Sequence, residues 1–297
     1  MNDFVRSRKT VPLSAFLELT KPRIGMMVVV TASIGYFLGA SYIGHMYDLH
    51  LFLLSMLGTA LAGSGASVLN QYLERDVDAK MDRTKNRPLP SGVMAPSVAL
   101  YYGVALALGG CFLLLFTVNI LAAFLALQST FLYVLVYTPM KRLSWWNTSV
   151  GAIPGAMPPL IGWAAATGSL NAGAWILFAV LYIWQHPHFY AIAWMYKEDY
   201  ARGGMKMLPV VKPDGRNMFF QVIFFAIVMV PVSLLPKVVG MSGWFYFVGA
   251  LVIGVGFLVY CIVFTHERND QAARKVMYAS IIYLPLWLII IAIDASL

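Results

Sequence analysis

Four polar residues recur at every fourth position near the end of the second long apolar segment: Asn70, Glu74, Asp78 and Asp82. In a helix this spacing places side chains one above another on a single face. Carboxylates stacked in this way repel each other, so we expect a cation to compensate them. Oxygen ligands on one face suit a hard cation such as Mg²⁺, which keeps waters and shares its coordination with substrate phosphates.

A basic run follows these carboxylates and contains Arg83, Lys85 and Arg87, after which Pro88 and Pro90 interrupt helical structure. Carboxylates beside such a run are typical of a metal and diphosphate site, in which the metal bridges carboxylate and phosphate while arginine binds phosphate oxygens. The charges alone are more often those of a solvated loop. The four-residue spacing, the asparagine at its start and the arginine–proline tail favour the binding site.

A second polar cluster follows the sixth apolar segment. It combines Glu198 and Asp199 with the basic residues Arg202 and Lys206. Further upstream, two histidines flank a proline in His186-Pro187-His188, and this proline predicts a local break in the sixth helix. Two-residue spacing places the two rings about 200° apart around a helix, which predicts separate partners. A purely structural hydrogen bond is an equally common role for a histidine in such a position.

The composition places these polar clusters in a membrane protein. Hydrophobic residues make up 60% of the 297 residues and charged residues 11%, against about 25% charged residues in soluble domains, and the mean hydropathy is +0.73. This composition excludes soluble enzymes, disordered chains and secreted disulfide scaffolds. Cys111 and Cys261 lie in apolar runs and suggest packing rather than redox or zinc chemistry.

We therefore predict an all-α integral membrane protein, one domain over residues 1–297, with about nine transmembrane helices around a central cavity. The predicted helices are about 24–43, 50–73, 96–116, 119–138, 148–166, 172–195, 217–236, 243–264 and 276–294. With these boundaries, 20 of the 21 lysines and arginines fall on one side, and Lys237 alone falls on the other. The positive-inside rule then predicts a cytoplasmic N-terminal segment 1–20 and an active site toward the cytoplasm. This segment resembles neither a cleaved signal peptide nor an organelle transit peptide, which predicts a bacterial plasma membrane location.

The first cluster resembles the first signature of the intramembrane prenyltransferases, the UbiA superfamily. The resemblance rests on Asn70-x₃-Glu74-x₃-Asp78, followed by Arg83-Thr84 and Asn86-Arg87-Pro88-Leu89. The family pattern has aspartate where this chain has Glu74, which keeps the oxygen ligands and lengthens the side chain. The resemblance extends over nearly the whole chain and implies nine helices, Mg²⁺, a prenyl diphosphate donor and an aromatic acceptor.

The second cluster resembles one branch of this family, whose members farnesylate haem. The segment Trp-Gln-His-Pro-His-Phe at 184–189, then Tyr-Lys-Glu-Asp-Tyr at 196–200 and Met-Leu-Pro-Val at 207–210, carries this resemblance, and Tyr137-Thr138-x₂-Lys141-Arg142 also fits the family. It implies farnesyl diphosphate and haem B as substrates, haem O and diphosphate as products, the lipid bilayer as surroundings and a downstream haem A synthase or terminal oxidase as partner, with no nucleic acid.

Two other functions remain open at this point. Quinone-type members of the family join a prenyl chain to an aromatic acid or naphthoate, but they usually carry a second Asp-x₃-Asp pair that this chain lacks. A transporter or haem-binding membrane protein without chemistry would also place polar residues in the membrane. Acidic clusters beside arginine at one membrane face fit such a protein poorly.

The resemblance and the spacing together assign residues to roles. The predicted metal ligands are Asn70, Glu74, Asp78, Asp82, Glu198 and Asp199. The predicted diphosphate contacts are Arg83, Arg87, Lys141, Arg142, Arg202 and Lys206. His186 and His188 are candidates on the acceptor side, and the predicted catalytic residues are Asn70, Glu74, Asp78, Asp199 and His188.

Overall fold

A computed structural model of the chain describes residues 11–44 and 47–295, and these residues form an all-helical fold. The helices are α1 (Leu13–Leu19), α2 (Pro22–Tyr42), α3 (Leu49–Asp78), α4 (Pro96–Thr117), α5 (Ile120–Phe131), a π-helical segment (Leu132–Tyr137), α6 (Thr138–Leu143), α7 (Asn147–Thr167), α8 (Ala172–Met195), α9 (Lys197–Arg202), α10 (Leu208–Val211), α11 (Arg216–Val238), α12 (Trp244–Glu267) and α13 (Asp270–Asp294). The all-α prediction is thus confirmed. Of the predicted N-terminal segment, residues 1–10 lie outside the described residues.

Each of the nine predicted ranges contains a helix, and the fourth range holds α5 and the π-helical segment and ends at the first residue of α6. Seven of the described helical stretches are long and apolar enough to cross a membrane. The stretches α7 and α8 are not among the seven. The number of nine crossings and the orientation of the N-terminus therefore stay predictions.

The two remaining long helices are surrounded by the others. The α7 helix packs against α2, α5 and α8, and α8 packs against α7, α11 and α13. Most residues of α7 are buried, including three internal prolines and Asn147. Because protein rather than lipid covers these helices, they can hold prolines and polar side chains that a lipid-facing helix would exclude.

The α2 and α7 helices approach each other through glycine. A Cβ atom at Gly162 would lie 1.8 Å from the carbonyl oxygen of Ala32, and one at Gly35 would lie 2.1 Å from that of Pro159. Small residues allow such close contact between membrane helices. This contact holds the middle of α2 against α7.

The predicted break at Pro187 is wrong, because α8 continues as an α-helix through this residue. Proline removes one backbone hydrogen bond, to the carbonyl group of Ile183, and polar side chains and neighbouring helices can compensate such a loss inside a membrane protein. Here a polar side chain lies close to the gap: the ring of His186 contacts the carbonyl oxygen of Tyr182, the residue before Ile183, at 2.8 Å. The tertiary packing of α8 on α7, α11 and α13 thus outweighs the local preference of proline.

Candidate functional site

The last two turns of α3 present three polar side chains on one face. Asn70, Glu74 and Asp78 are 1%, 4% and 1% exposed, and all three line the same cavity. Asp82 was predicted to continue this face, but α3 ends at Asp78, and Asp82 lies exposed in the following turn. The helix ends there because the chain folds back: the hydroxyl group of Thr84 donates to the carbonyl oxygen of Asp78 at 2.9 Å.

Each of these three side chains is paired with a cation, as expected for stacked carboxylates. The Nζ atom of Lys21 donates to Oδ1 of Asn70 at 2.9 Å, and the Nζ atom of Lys141 lies 2.7 Å from Oε1 of Glu74. A guanidinium nitrogen of Arg87 donates to Oδ2 of Asp78 at 2.8 Å. Three cations from three different segments therefore converge on one helix face.

Lys21 was not predicted as a site residue. It immediately precedes α2, at a left-handed backbone position with φ of 50°, and its side chain lines the cavity. Burial, with the neighbouring charges of Arg87 and Lys141, lowers the pKa of Lys21 to about 7. In the sequence this lysine is one of many basic residues at a helix end, and only the folded chain brings it to Asn70, 49 positions away.

Among the residues that the structure describes, two oxygens of this cluster are buried without a hydrogen bond: Oε1 of Glu74, which is ion-paired with Lys141, and Oδ1 of Asp78. In Asp78 it is Oδ2 that pairs with Arg87. A buried carboxylate oxygen without a donor is costly unless a cation occupies its free side. Together with the oxygen atoms of Asn70 and Glu74, this donor set fits a hard divalent cation such as Mg²⁺.

The second acidic cluster is built differently. Asp199 accepts hydrogen bonds from the backbone amides of Asp82 and Arg83, at 3.1 and 3.3 Å, and from the side chain of Arg202. Burial alone would raise the pKa of Asp199, but these hydrogen bonds outweigh it and lower the pKa below its usual value. Asp199 thus ties α9 to the loop after α3, and Glu198 beside it is exposed.

Asp82 joins this second cluster rather than the first. Its carboxylate lies 2.7 Å from Nζ of Lys85 and 2.7 Å from a guanidinium nitrogen of Arg202. These two cations hold the pKa of Asp82 below its usual value. In the described part of the chain, no three histidine, cysteine, aspartate or glutamate side chains lie close enough to form a metal cluster. The wider set of six metal ligands therefore stays a prediction.

The predicted diphosphate contacts divide into two groups. Arg83, Arg87 and Lys141 line the cavity, and the guanidinium group of Arg83 lies over the rings of Tyr196 and Tyr200, 5.2 and 5.8 Å from their centroids. The other three residues lie exposed outside the cavity lining: Arg142, Arg202 and Lys206. The backbone of Lys206 nevertheless supports the site, because its amide donates to the carbonyl oxygen of Lys141 at 2.6 Å.

The cavity has a volume of about 590 Å³ and lies between α2, α3, α5, the π-helical segment, α7 and α8. Its charged end is formed by the residues described above, and beyond them the wall is mostly apolar and aromatic. The aromatic residues that line it are Tyr133, Tyr137, Trp184, Phe189 and Tyr200. The Nζ atom of Lys141 lies 4.6 Å from the centroid of the Tyr137 ring, so an aromatic face directly adjoins the cationic end.

Two glycines of α7 make room for cavity side chains. A Cβ atom at Gly151 would lie 2.4 Å from a ring carbon of Tyr137, and one at Gly155 would lie 2.0 Å from Oε1 of Gln185. The sequence gives no direct signal for this role, since the glycines and the side chains they accommodate belong to different helices. The arrangement shows that the shape of the cavity depends on close contact between α7 and its neighbours.

The two histidines of α8 face different surroundings, as their spacing predicts. His186 is completely buried, and its ring nitrogens contact the carbonyl oxygen of Tyr182 at 2.8 Å and the hydroxyl oxygen of Ser149 at 3.2 Å. His188 instead lines the cavity, with Nδ1 2.7 Å from Oγ of Ser280. The structure therefore brings His188, and not His186, to the cavity.

Comparison with protein families agrees with this geometry. The model of the UbiA prenyltransferase family matches residues 28–289. A protein named protoheme IX farnesyltransferase from Solibacter usitatus is 49% identical over 277 residues, which cover 91% of this chain and 95% of that protein. A protein of the same name from Salinibacter ruber is 46% identical and covers 94% of this chain and 98% of its own length.

Solved structures show the same fold at lower identity. A digeranylgeranylglyceryl phosphate synthase superposes with a TM-score of 0.80 at 21% identity, covering 95% of this chain and 98% of that one. A UbiA homologue from Archaeoglobus fulgidus bound to GPP and Mg²⁺ gives a TM-score of 0.64 at 16% identity, covering 93% and 99%. With a family match over most of its length and relatives that it covers almost end to end, the chain belongs to the UbiA prenyltransferase family.

Proposed function

We propose that the chain transfers a farnesyl group from farnesyl diphosphate to a vinyl group of haem B, with addition of water, to give haem O and diphosphate. The observation that carries this proposal is the buried face of Asn70, Glu74 and Asp78, paired with three cations at one end of an aromatic cavity. The name shared by the relatives from Solibacter usitatus and Salinibacter ruber supports haem B as the acceptor.

The charged end of the cavity would hold the diphosphate of the donor. Mg²⁺ bound through Asn70, Glu74 and Asp78 would supply positive charge to the leaving diphosphate. The Mg²⁺ and prenyl diphosphate bound to the Archaeoglobus fulgidus homologue support this choice. The cations that now pair with the carboxylates are themselves available to diphosphate oxygens, because a metal that binds the carboxylates would release Lys141 and Arg87 toward the ligand.

Stabilisation of the negative charge on the leaving diphosphate would accelerate the first step of the reaction. The C–O bond of the donor breaks, its electron pair leaves with the diphosphate, and an allylic cation remains. Preformed positive charge at the place where negative charge develops stabilises this step. Arg83, Arg87, Lys141 and Lys21 line the cavity and act directly, whereas Arg142, Arg202 and Lys206 add positive charge from outside the lining.

The aromatic wall would protect and stabilise the cation. The faces of Tyr133 and Tyr137 carry the negative part of a ring quadrupole, which attracts a cation. The vinyl carbon of the acceptor attacks the allylic cation and forms the new C–C bond. Water then adds to the cation left beside the pyrrole ring and loses a proton, which gives the hydroxyl group of the product. His188 lines the cavity and can accept that proton.

We further propose that all nine long helices cross a bacterial plasma membrane with the N-terminus in the cytoplasm. The support is the segregation of lysine and arginine and the buried position of α7 and α8 among helices that are apolar enough to span. Single-cysteine labelling of intact cells should then miss residues 197–212 and reach residues 47–49. Labelling of the first segment from outside would contradict this orientation. A downstream haem A synthase or terminal oxidase stays a predicted partner.

The function can be tested on the purified protein in lipid nanodiscs. With farnesyl diphosphate, haem B and Mg²⁺, mass spectrometry should detect haem O, and Asp78→Asn should serve as the inactive control. The same preparation with 4-hydroxybenzoate and a naphthoate in place of haem B tests the quinone-precursor alternative. Prenylation of either acid without haem O would overturn the proposed acceptor, and binding of haem without any product would favour a haem-binding protein.

A further inference from the structure

His188 is held between α8 and α13 by a buried serine. Its Nδ1 atom lies 2.7 Å from Oγ of Ser280, and this Oγ lies 2.6 Å from the carbonyl oxygen of Met277. Ser280 itself is completely buried. The three atoms thus form a chain that leads from a backbone carbonyl group of α13 to a histidine in the cavity wall.

Serine has a single hydroxyl proton, and its position decides which group donates and which accepts in these two hydrogen bonds. A carbonyl oxygen can only accept a hydrogen bond, so the proton of Ser280 must point to Met277. The oxygen of Ser280 must then accept from His188, which requires a proton on Nδ1. In a neutral imidazole ring with Nδ1 protonated, Nε2 carries a free lone pair. Among the described residues, Nε2 of His188 makes no hydrogen bond.

Trp184, one helical turn before His188, fixes the plane of the ring. The Trp184 and His188 rings stack with centroids 5.0 Å apart at an interplanar angle of 14°. The indole nitrogen of Trp184 donates to the backbone carbonyl oxygen of Ser280 at 3.0 Å. Ser280 therefore receives one hydrogen bond from each of the two stacked rings, which orients both of them.

We propose that Ser280 is a positioning residue that holds His188 in the Nδ1-protonated form, so that Nε2 offers a lone pair to the acceptor half of the cavity. This proposal rests on the proposed function. A lone pair at Nε2 can take the proton of the water that quenches the product cation, or can bind an iron atom. In the Nε2-protonated form the only lone pair is on Nδ1, which faces Ser280. His186 cannot replace it, because both of its ring nitrogens are already bonded.

The first test compares Ser280→Ala with a matched control. Loss of the hydrogen-bond partner of a functional histidine typically costs about 10- to 100-fold in activity, as known for metal-binding histidines. Ser280→Ala should lower the rate of haem O formation by this factor while the binding of farnesyl diphosphate stays unchanged. Ser55 is equally buried, and its hydroxyl group donates to the carbonyl oxygen of Leu51 at 2.7 Å, but it contacts no histidine among the described residues. Ser55→Ala should therefore keep the wild-type rate.

The second test reads the protonation directly. Ring-nitrogen NMR of the protein labelled with ¹⁵N-histidine, with His188→Gln to assign the signal, should show Nδ1 protonated in the wild type. Ser280→Ala should give a mixture of the two forms, a change that a merely structural role would not produce. If Ser280→Ala does not fold, Ser280→Cys takes its place, because a thiol of similar shape is a weak acceptor.

The outcomes separate the two proposals. Protonation of Nε2 in the wild type, or wild-type haem O formation by Ser280→Ala, would overturn the role of Ser280 even if the proposed function holds. A wild-type protein that makes no haem O would overturn the proposed function, and the NMR experiment would still decide whether Ser280 sets the protonation of His188.

Discussion

The buried pair of Lys141 and Glu74 allows the donor half of the site to be tested apart from the stability of the fold. Their side chains are 14% and 6% exposed, and Nζ lies 2.7 Å from Oε1. Removal of one partner of a buried ion pair costs about 3–5 kcal/mol, because the other charge is left uncompensated. Since Lys21 binds Asn70, one helical turn before Glu74, it can offset part of the charge of Glu74. We therefore expect Lys141→Met to cost about 3 kcal/mol, the lower end of this range.

Activity and stability should then separate in the double variant Glu74→Gln/Lys141→Met. No uncompensated charge remains in it, so most of the lost stability should return. Activity should not return, because both groups act on the diphosphate and its metal, and loss of such groups costs at least about 10²-fold in rate. Binding of farnesyl diphosphate should weaken in both variants that lack Lys141.

The assay combines thermal unfolding in nanodiscs, calorimetry with farnesyl diphosphate and chromatography of haem O. Lys85→Met provides the control for stability, since Lys85 forms an ion pair of the same 2.7 Å length with Asp82 but both side chains are exposed. Its apparent Tm should equal that of the wild type. Recovery of haem O formation together with stability in the double variant would show that the pair serves folding alone and would refute its role at the diphosphate.

Three further outcomes follow from the geometry of the cavity. Asp78→Asn should keep the fold and lose at least about 10²-fold in rate, and excess EDTA should abolish turnover of the wild type; full activity in EDTA would contradict a metal at the unpaired Oδ1 atom. Gly151→Ala should lower activity because its Cβ atom would meet the ring of Tyr137 at 2.4 Å, whereas Gly109→Ala, which meets nothing within 4 Å, should be neutral in the same rate assay. His188→Ala should block haem O formation while farnesyl diphosphate still binds by calorimetry, and a near wild-type rate would leave this histidine a structural role only.

Part of the site could be predicted because it depends on one helix. The four-residue spacing of Asn70, Glu74 and Asp78 follows from the geometry of the α-helix and needs no other part of the chain. The same rule separated His186 from His188. Its extension to Asp82 failed because helical spacing applies only while the helix lasts, and the hydrogen bond from Thr84 to Asp78 ends it.

The membrane class, the helical ranges and the residues that share a helix face follow from composition and periodicity, which are local properties of the chain. The partners that these residues meet depend on the folded arrangement of the helices. Lys21 reaches Asn70 across 49 positions, Asp199 binds the loop after α3 from more than 100 positions away, and His188 meets Ser280 of α13 across 92 positions. Such contacts depend on how helices pack, and packing is set by close fits such as Gly162 against Ala32, which no spacing within one helix reveals.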